Sequence, residues 1–281
     1  MQVPMMLEAY LDESGIHDGA VMCVVAGYYG WRPQWRQLEK AWRKVLGDFN
    51  VPLERFHAKD LVPKPQGFFF KWQTQMRDSF LHGLANAIGD SGIRPVSSGV
   101  VVSDFFSFSR QRRRLMSGAT IKSGKLITSG SPEKPYFVVF MQCLRRLACY
   151  APENGKVHFF FGLGKPFADY ATALLSQTKS NPLPMHCKDR LGEASYPLAK
   201  ETPQLQAADL LVHLTYQHML ARHAEDDWNV QPHTALAMCI GNAASAGDFA
   251  LLDKTCLQAG LNEAYGLGGK AWEKVAKRRR H

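Results

Sequence analysis

Apolar and polar residues alternate from Leu7 to Leu11 and the run ends on Asp12, which predicts a strand. Val21 to Tyr29 is apolar, rich in β-branched and aromatic residues, and bounded by Gly19 and Gly30. It predicts a second strand, with the Gly15–Gly19 region as the turn between the two and a third short strand sharing Tyr28–Trp31. Beyond Pro33 the period lengthens. Trp35, Leu38, Trp42, Val45 and Leu46 recur at helical spacing, so a helix is expected through Asp48, with its proline in the first turn where no N–H is needed.

Val51 to Phe70 reads as a loop-rich connection that holds Phe56-His57-Ala58-Lys59-Asp60. A helix is predicted from Trp72 to Ile88, stopped near Gly89 and Gly92, then a strand from Ile93 to Val102 that ends at Ser103-Asp104. Residues 107–135 are polar, basic and Gly/Ser-rich, the composition of an inserted mobile loop. Further helices are expected over Tyr136–Tyr150, Phe167–Gln177 and Pro203–Arg222, with a buried strand at Val157–Phe161 between the first two. The remainder reads as helical and polar. This gives a domain over 1–222 and a helical C-terminal extension over 223–281 with a basic tail. Two of the strands follow long helices, which implies right-handed crossovers and parallel pairing. An antiparallel N-terminal hairpin joined to parallel strands is similar to the ribonuclease H-like architecture, an α/β mixed sheet flanked by helices.

Composition narrows the class. The chain has 281 residues, 46% hydrophobic and 21% charged, an ordinary globular balance. No apolar run approaches the roughly 18–20 residues that span a bilayer, so no membrane association is expected. Glu8 and Asp12 interrupt the N-terminal segment, which reads as no signal peptide and a cytoplasmic location. The six cysteines include no CxxC pair. They read as small buried apolar residues, with His186-Cys187 a metal half-site that lacks a visible partner pair.

The formal net charge is +9 and the excess is clustered. Arg110, Arg112, Arg113 and Arg114 form one group, and Lys122, Lys125 and Lys134 follow. Lys270, Lys274, Lys277, Arg278, Arg279 and Arg280 close the chain. Such clusters suit a polyanion, because each phosphate contact releases condensed counterions. Nucleic acid, DNA or RNA, is the expected partner, with the arginine group as its binding residues. The competing reading is solvated surface charge, which suffices for the tail alone. A homo-oligomer or a partner protein is left open.

Three aspartates carry the candidate chemistry. Asp12 and Asp104 each lie at the carboxyl end of a predicted strand, where ligand sites gather in open α/β sheets. Asp209 lies in the helix that starts near Pro203, where Leu205, Leu210, Leu211 and Leu214 would face the sheet. A carboxylate there is costly unless paired or metal-bound. Asp12, Asp104 and Asp209 are thus the expected ligands of Mg²⁺ or Mn²⁺, hard cations that take oxygen donors. A pair of such ions can activate water and stabilise the leaving oxygen in phosphodiester cleavage. The plainer alternative is that strand-end aspartates cap turns.

Tyr10-Leu11-Asp12-Glu13-Ser14-Gly15 resembles the YxDESG signature of the domain-of-unknown-function 3800 family. Ala26-Gly27, Phe56-His57-Ala58 and Gln206-Ala207-Ala208-Asp209 resemble that family in the same order, so the likeness spans roughly residues 5 to 220. It implies a ribonuclease H-like fold, nuclease activity, and a role in mobile-element biology or phage defence. It points to Asp12, Glu13, His57 and Asp209, whereas Asp104 comes from the fold argument. On a regular strand Asp12 and Glu13 would point to opposite faces, so Glu13 joins Asp12 only if the strand ends there. Members often carry an acid after the strand matching Val157–Phe161, where this chain has Gly162.

His57 is a candidate general base, phosphate donor or metal ligand, weighed against a structural loop histidine. Phe68, Phe69, Phe70 and Trp72 would stack on bases or fill the core, and the core is the better reading. Three functions follow: a divalent-metal-dependent nuclease or related phosphoryl-transfer enzyme, with Asp12, Glu13, His57, Asp104 and Asp209 as catalytic candidates; a nucleic-acid-binding or assembly protein of the same fold with weakened catalysis, favoured by Gly162; and, last, a phosphatase with Asp12 as covalent nucleophile, disfavoured because Ser14 stands where a second aspartate is usual.

Overall fold

The structure is a computed structural model; it describes residues 6–62, 65, 67–118, 120–122, 125–127, 133–162, 167–180, 187–225, 234–240 and 249–268. Its central sheet contains β1 (Met6–Ser14), β2 (Met22–Trp31), β3 (Arg94–Val101), β6 (Lys156–Phe161), β7 (Leu191–Ser195) and β8 (Phe249–Leu252). A separate two-stranded hairpin is formed by β4 (Thr120–Lys122) and β5 (Lys125–Ile127). The helices are α1 (Arg32–Asp48), α2 (Thr74–Ser91), α3 (Val102–Ser107), α4 (Arg110–Met116), α5 (Pro135–Tyr150), α6 (Phe167–Ser180), α7 (Pro203–Glu225), α8 (Thr234–Ile240) and α9 (Lys254–Gly268).

The sheet order is β7-β6-β1-β2-β3-β8. β2 is antiparallel to both its neighbours, whereas β1 with β6, β6 with β7, and β3 with β8 are parallel. The chain therefore has an α/β fold, a mixed sheet flanked by helices. Because β2 alone of these strands is reversed, the carboxyl ends of β1, β3 and β6 lie along one edge, and whatever follows those strands meets there.

Two apolar layers hold the sheet. On one face Leu7, Ala9 and Leu11 of β1 pack with Val139, Cys143, Leu144 and Leu147 of α5. On the other, Tyr10 of β1 packs with Trp35, Leu38 and Trp42 of α1 and Leu205, Leu210 and Leu211 of α7. β1 thus alternates between two cores, as the period of a strand demands. Burial of Trp35, Leu38, Trp42 and Leu46 follows the helical spacing seen in the sequence. The Trp42 indole N–H donates to Gln206 Oε1 at 2.9 Å, and the Gln206 amide donates to the carbonyls of Leu53 at 2.7 Å and Lys200 at 3.2 Å.

Several expectations are corrected. β1 does not end at Asp12 but pairs with β2 as far as Ser14, opposite Val24. β2 runs unbroken through Trp31, leaving no separate third strand. Within 107–135, expected to be one inserted loop, the described residues form a helix over Arg110–Met116 and a pair of short strands after it. The segment Arg110–Met116 contains neither Gly nor Pro to interrupt it. The stretch after 223, expected to be helical throughout, adds β8 to the edge of the main sheet beside β3. Four apolar residues are too few for periodicity to separate strand from helix. His186 and the basic tail lie outside the described residues. Among the described residues no helix is long and apolar enough to cross a membrane.

Candidate active site at the carboxyl ends of β1 and β6

Asp12 sits two residues before the end of β1. Leu11 faces the α5 core, so Asp12 is on the α7 side of the sheet. The parallel register Leu11↔Phe161 brings Gly162 alongside it, and the Gly162 N–H donates to Leu11 O at 3.3 Å. The fit is tight. A Cβ on Gly162 would lie 3.2 Å from Asp12 Oδ1 and 3.6 Å from the Ala199 Cβ. A side chain here would press on the carboxylate, so the glycine is a close-approach position.

Asp209 reaches the same neighbourhood from α7. Its Oδ2 accepts the Ala58 N–H at 2.8 Å and meets His57 Nδ1 at 2.9 Å. A carboxylate has no proton to give, so the imidazole donates through Nδ1, which in the neutral ring leaves Nε2 as the acceptor. His57 and Ala58 begin the single 3-10 turn Ala58–Leu61, and Ala58 is fully buried. Phe56-His57-Ala58 thus places a backbone donor and an imidazole on one oxygen of Asp209. The His57 side chain is 45% exposed and the Asp209 side chain 16%.

Glu13 points to the opposite side of the strand, toward the α5 face. There its charge acts on the buried Cys23 thiol and the buried Tyr136 hydroxyl, both held above their usual range mainly by burial. The electrostatics still bind the three acids together. Asp12 is pushed well above the usual carboxylate range by burial first, then by the charges of Glu13 and Asp209, against one backbone hydrogen bond from Glu13. Glu13 is pushed up to about 8 by burial and then by Asp209. Both side chains keep some solvent contact, yet protein atoms crowd them enough to disfavour the charged forms.

Asp104 is corrected. β3 stops at Val101, so Asp104 lies in the first turn of α3 rather than on a strand end. Its Oδ2 accepts the Lys254 N–H at 2.9 Å, at the start of α9. It is not among the charges that act on Asp12 or Glu13.

The arginine group is placed on α4. Arg110, Arg113 and Arg114 converge on one carboxylate, Glu133, at 2.5, 3.1 and 3.0 Å. Arg113 also donates to Phe108 O at 2.6 Å and lies 5.3 Å from the centre of the Phe106 ring, while Arg112 reaches Gln258 at 3.4 Å. Glu133 is thereby held below the usual carboxylate range. Sequence reasoning missed Glu133 because nothing in the local pattern ties it to α4. Of the aromatic run, Phe69 is fully buried against Trp72 and Phe80, whereas Phe68 and Phe70 are exposed.

The donor chemistry fits a hard divalent cation, because the repulsion by which neighbouring carboxylates raise one another's pKa is what such an ion would relieve. Among the described residues, however, no three His, Cys, Asp or Glu side chains are already converged as a metal cage.

Comparison with known proteins finds no family model that matches the chain and no matching curated protein. Among solved structures it overlaps a chain of the PCNA:RNase HII complex from Archaeoglobus fulgidus at a TM-score of 0.39 and 12% identity, over 94% of this chain and 90% of that one. It overlaps Bst-RNase HIII in complex with Mn²⁺ at 0.37 and 15%, over 99% and 72%. Overlaps this loose carry no argument; the fold rests on the sheet order and its flanking helices.

Proposed function

We propose that the chain is a ribonuclease H-like, divalent-metal-dependent nuclease or related phosphoryl-transfer enzyme that acts on DNA or RNA. The observation that carries this reading is a crowded Asp12, acted on by the charge of Asp209, at the carboxyl edge of a sheet whose N-terminal hairpin joins parallel strands. The likeness to the domain-of-unknown-function 3800 signature, at Asp12, Glu13, His57 and Asp209, agrees with it. Asp12 and Asp209 would hold Mg²⁺ or Mn²⁺, and such an ion supplies Lewis acidity to a phosphodiester and a reactive hydroxide at neutral pH. The chain's own residues do the rest. The Ala58 N–H and His57 fix one oxygen of Asp209 in place. His57 Nε2 is an acceptor able to take a proton from water.

The test is cleavage of labelled single- and double-stranded DNA and RNA with Mg²⁺ and with Mn²⁺. Asp12→Asn and Asp209→Asn should abolish cleavage while leaving the circular dichroism spectrum unchanged. Equal cleavage by wild type and both variants would sink the assignment.

A second reading is a nucleic-acid-binding or assembly protein of this fold with weakened catalysis. It is favoured by Gly162, whose backbone leaves no room for a further acid beside Asp12 without displacing it. Titration with Mn²⁺ separates the two, because only the first requires a bound cation.

A further inference from the structure

A small cavity of about 80 Å³ lies at the same edge of the sheet, on the face opposite Asp12. Cys23 and Tyr136 form part of its wall, and both feel the charge of Glu13. Its mouth is built from the turn Gly15–Gly19, from Val102 and Phe106 of α3, and from Lys134. The mouth is apolar where a monomer surface has little reason to be. At the opening Ile16 is 39% exposed and Phe106 49%; Val21, whose carbonyl accepts the Val102 N–H at 2.9 Å, is 46% exposed close by. A single exposed apolar residue needs no explanation, but neighbouring ones form a patch.

Asp18, exposed on the turn, offsets Lys134 at the opening, and the positive excess comes from the α4 arginines beside Phe106. Lys134 is exposed on the lip. It is the residue before the first turn of α5, where a cation works against the helix dipole, so helix stability does not account for it. Arg113 lies over the Phe106 ring, and three guanidinium groups share the single carboxylate of Glu133. An aromatic ring left half open beside an excess of cations is the chemistry that takes a base on one side and a phosphate on the other. An apolar peptide would satisfy the ring but not the charge.

We propose that Phe106 and Lys134 form a nucleotide subsite for single-stranded nucleic acid, with a base stacked on Phe106 and a phosphate held by Lys134. This rests on the reading of the chain as a nucleic-acid enzyme and deepens it, because the subsite opens at the strand ends that carry Asp12 and Glu13. A single strand is required because the faces of paired bases are not available to a side chain.

The test is fluorescence anisotropy with labelled oligo(dT) and oligo(rU) of about 12 nucleotides, a length within the usual single-strand site size. A hairpin duplex serves as the comparison. EDTA is present throughout, so that binding is read without cleavage. Phe106→Ala and Phe106→Leu should weaken single-strand binding by about tenfold, the loss of one stacked base, while Phe106→Trp retains it. Lys134→Ala should reduce the slope of log affinity against log salt by about 0.7, for the one phosphate it no longer neutralises. Thermal melting confirms that each variant is folded.

Unchanged affinity in Phe106→Ala, an equal loss on the duplex, or no oligonucleotide binding by the wild type would each overturn the subsite. So would a wild-type dimer in sedimentation that Phe106→Ala dissolves, since the patch would then face a second copy. If Asp12→Asn stops cleavage but Phe106 proves indifferent, the subsite alone fails. If binding depends on Phe106 but nothing is cleaved, the subsite stands and the nuclease assignment falls.

Discussion

Gly162 stands so close to Asp12 that an added methyl group would meet the Asp12 Oδ1 at 3.2 Å. Two effects then oppose each other in Gly162→Ala. Restricting the unfolded chain stabilises by about 0.4–1 kcal/mol, and crowding the carboxylate costs a similar amount. The melting temperature should stay within about 3 °C of wild type, the scale of 1 kcal/mol in a chain of this size. The Mn²⁺ affinity, read by calorimetry, should fall, because Asp12 is moved while the fold is not. An unchanged affinity would show that Asp12 does not hold the ion.

Crowded acids make stability depend on pH with a definite sign. Asp12 and Glu13 both have raised pKa values in the folded state, so the folded protein holds protons that the unfolded chain releases. Their contribution is complete below the unfolded value and is lost as pH rises through the folded one. For Glu13 the window runs from its ordinary 4.5 to about 8. In EDTA the melting temperature should fall across that window. Asp12→Asn, which removes one of the repelling charges, should raise it by at least about 3 °C at pH 8. Mg²⁺ should protect the wild type and not the variant. A flat pH profile without metal would refute the mutual repulsion.

Glu133 neutralises part of the α4 arginine group. Glu133→Gln removes the charge shared by Arg110, Arg113 and Arg114 and keeps the shape. Because Arg110 is largely exposed and solvent screens the pair, the loss of stability should be small. Affinity for heparin or for nonspecific DNA should increase, with a steeper salt dependence. If affinity does not rise, the arginines hold α4 to its neighbours and do not serve a polyanion.

Gln206 ties α7 to α1 and to two connecting turns through Trp42, Leu53 and Lys200. Gln206→Leu keeps the volume and strands an indole N–H and two carbonyls, each costing about 1–3 kcal/mol where buried. The melting temperature should drop by about 5 °C or more. A smaller drop would mean water replaces the amide.

The first strand and α1 are legible in the sequence because each has a clean period, the strand at Val157–Phe161 because it is a short apolar run, and the start of α7 because Pro203 marks it. Asp12, His57 and Asp209 stand out there as motif positions; the fold pairs His57 with Asp209, and the charge of Asp209 acts on Asp12. Asp104 misleads because the apolar run continues past the end of β3 at Val101, and a shift of a few residues turns a strand-end carboxylate into the partner of the Lys254 N–H. The opposite directions of Asp12 and Glu13 follow from where β1 ends, which Ser14-Gly15 leaves ambiguous. Glu133 and Phe106 could not be found from pattern at all, since their roles exist only once α4 and α3 are folded against the chain around them.

The last strand has a consequence of its own. β8 supplies four residues that pair with Ser97–Val100 and cover the outer edge of β3. Removing it would uncover a row of unsatisfied backbone groups on a strand rich in valine, the kind of edge on which chains add to one another. A truncation before Phe249 would therefore keep the acidic centre, which lies across the sheet from it, and lose solubility first. The outermost strand would thus serve as a guard against association, and directly after it the chain is tied to α3 by the bond from the Lys254 N–H to Asp104.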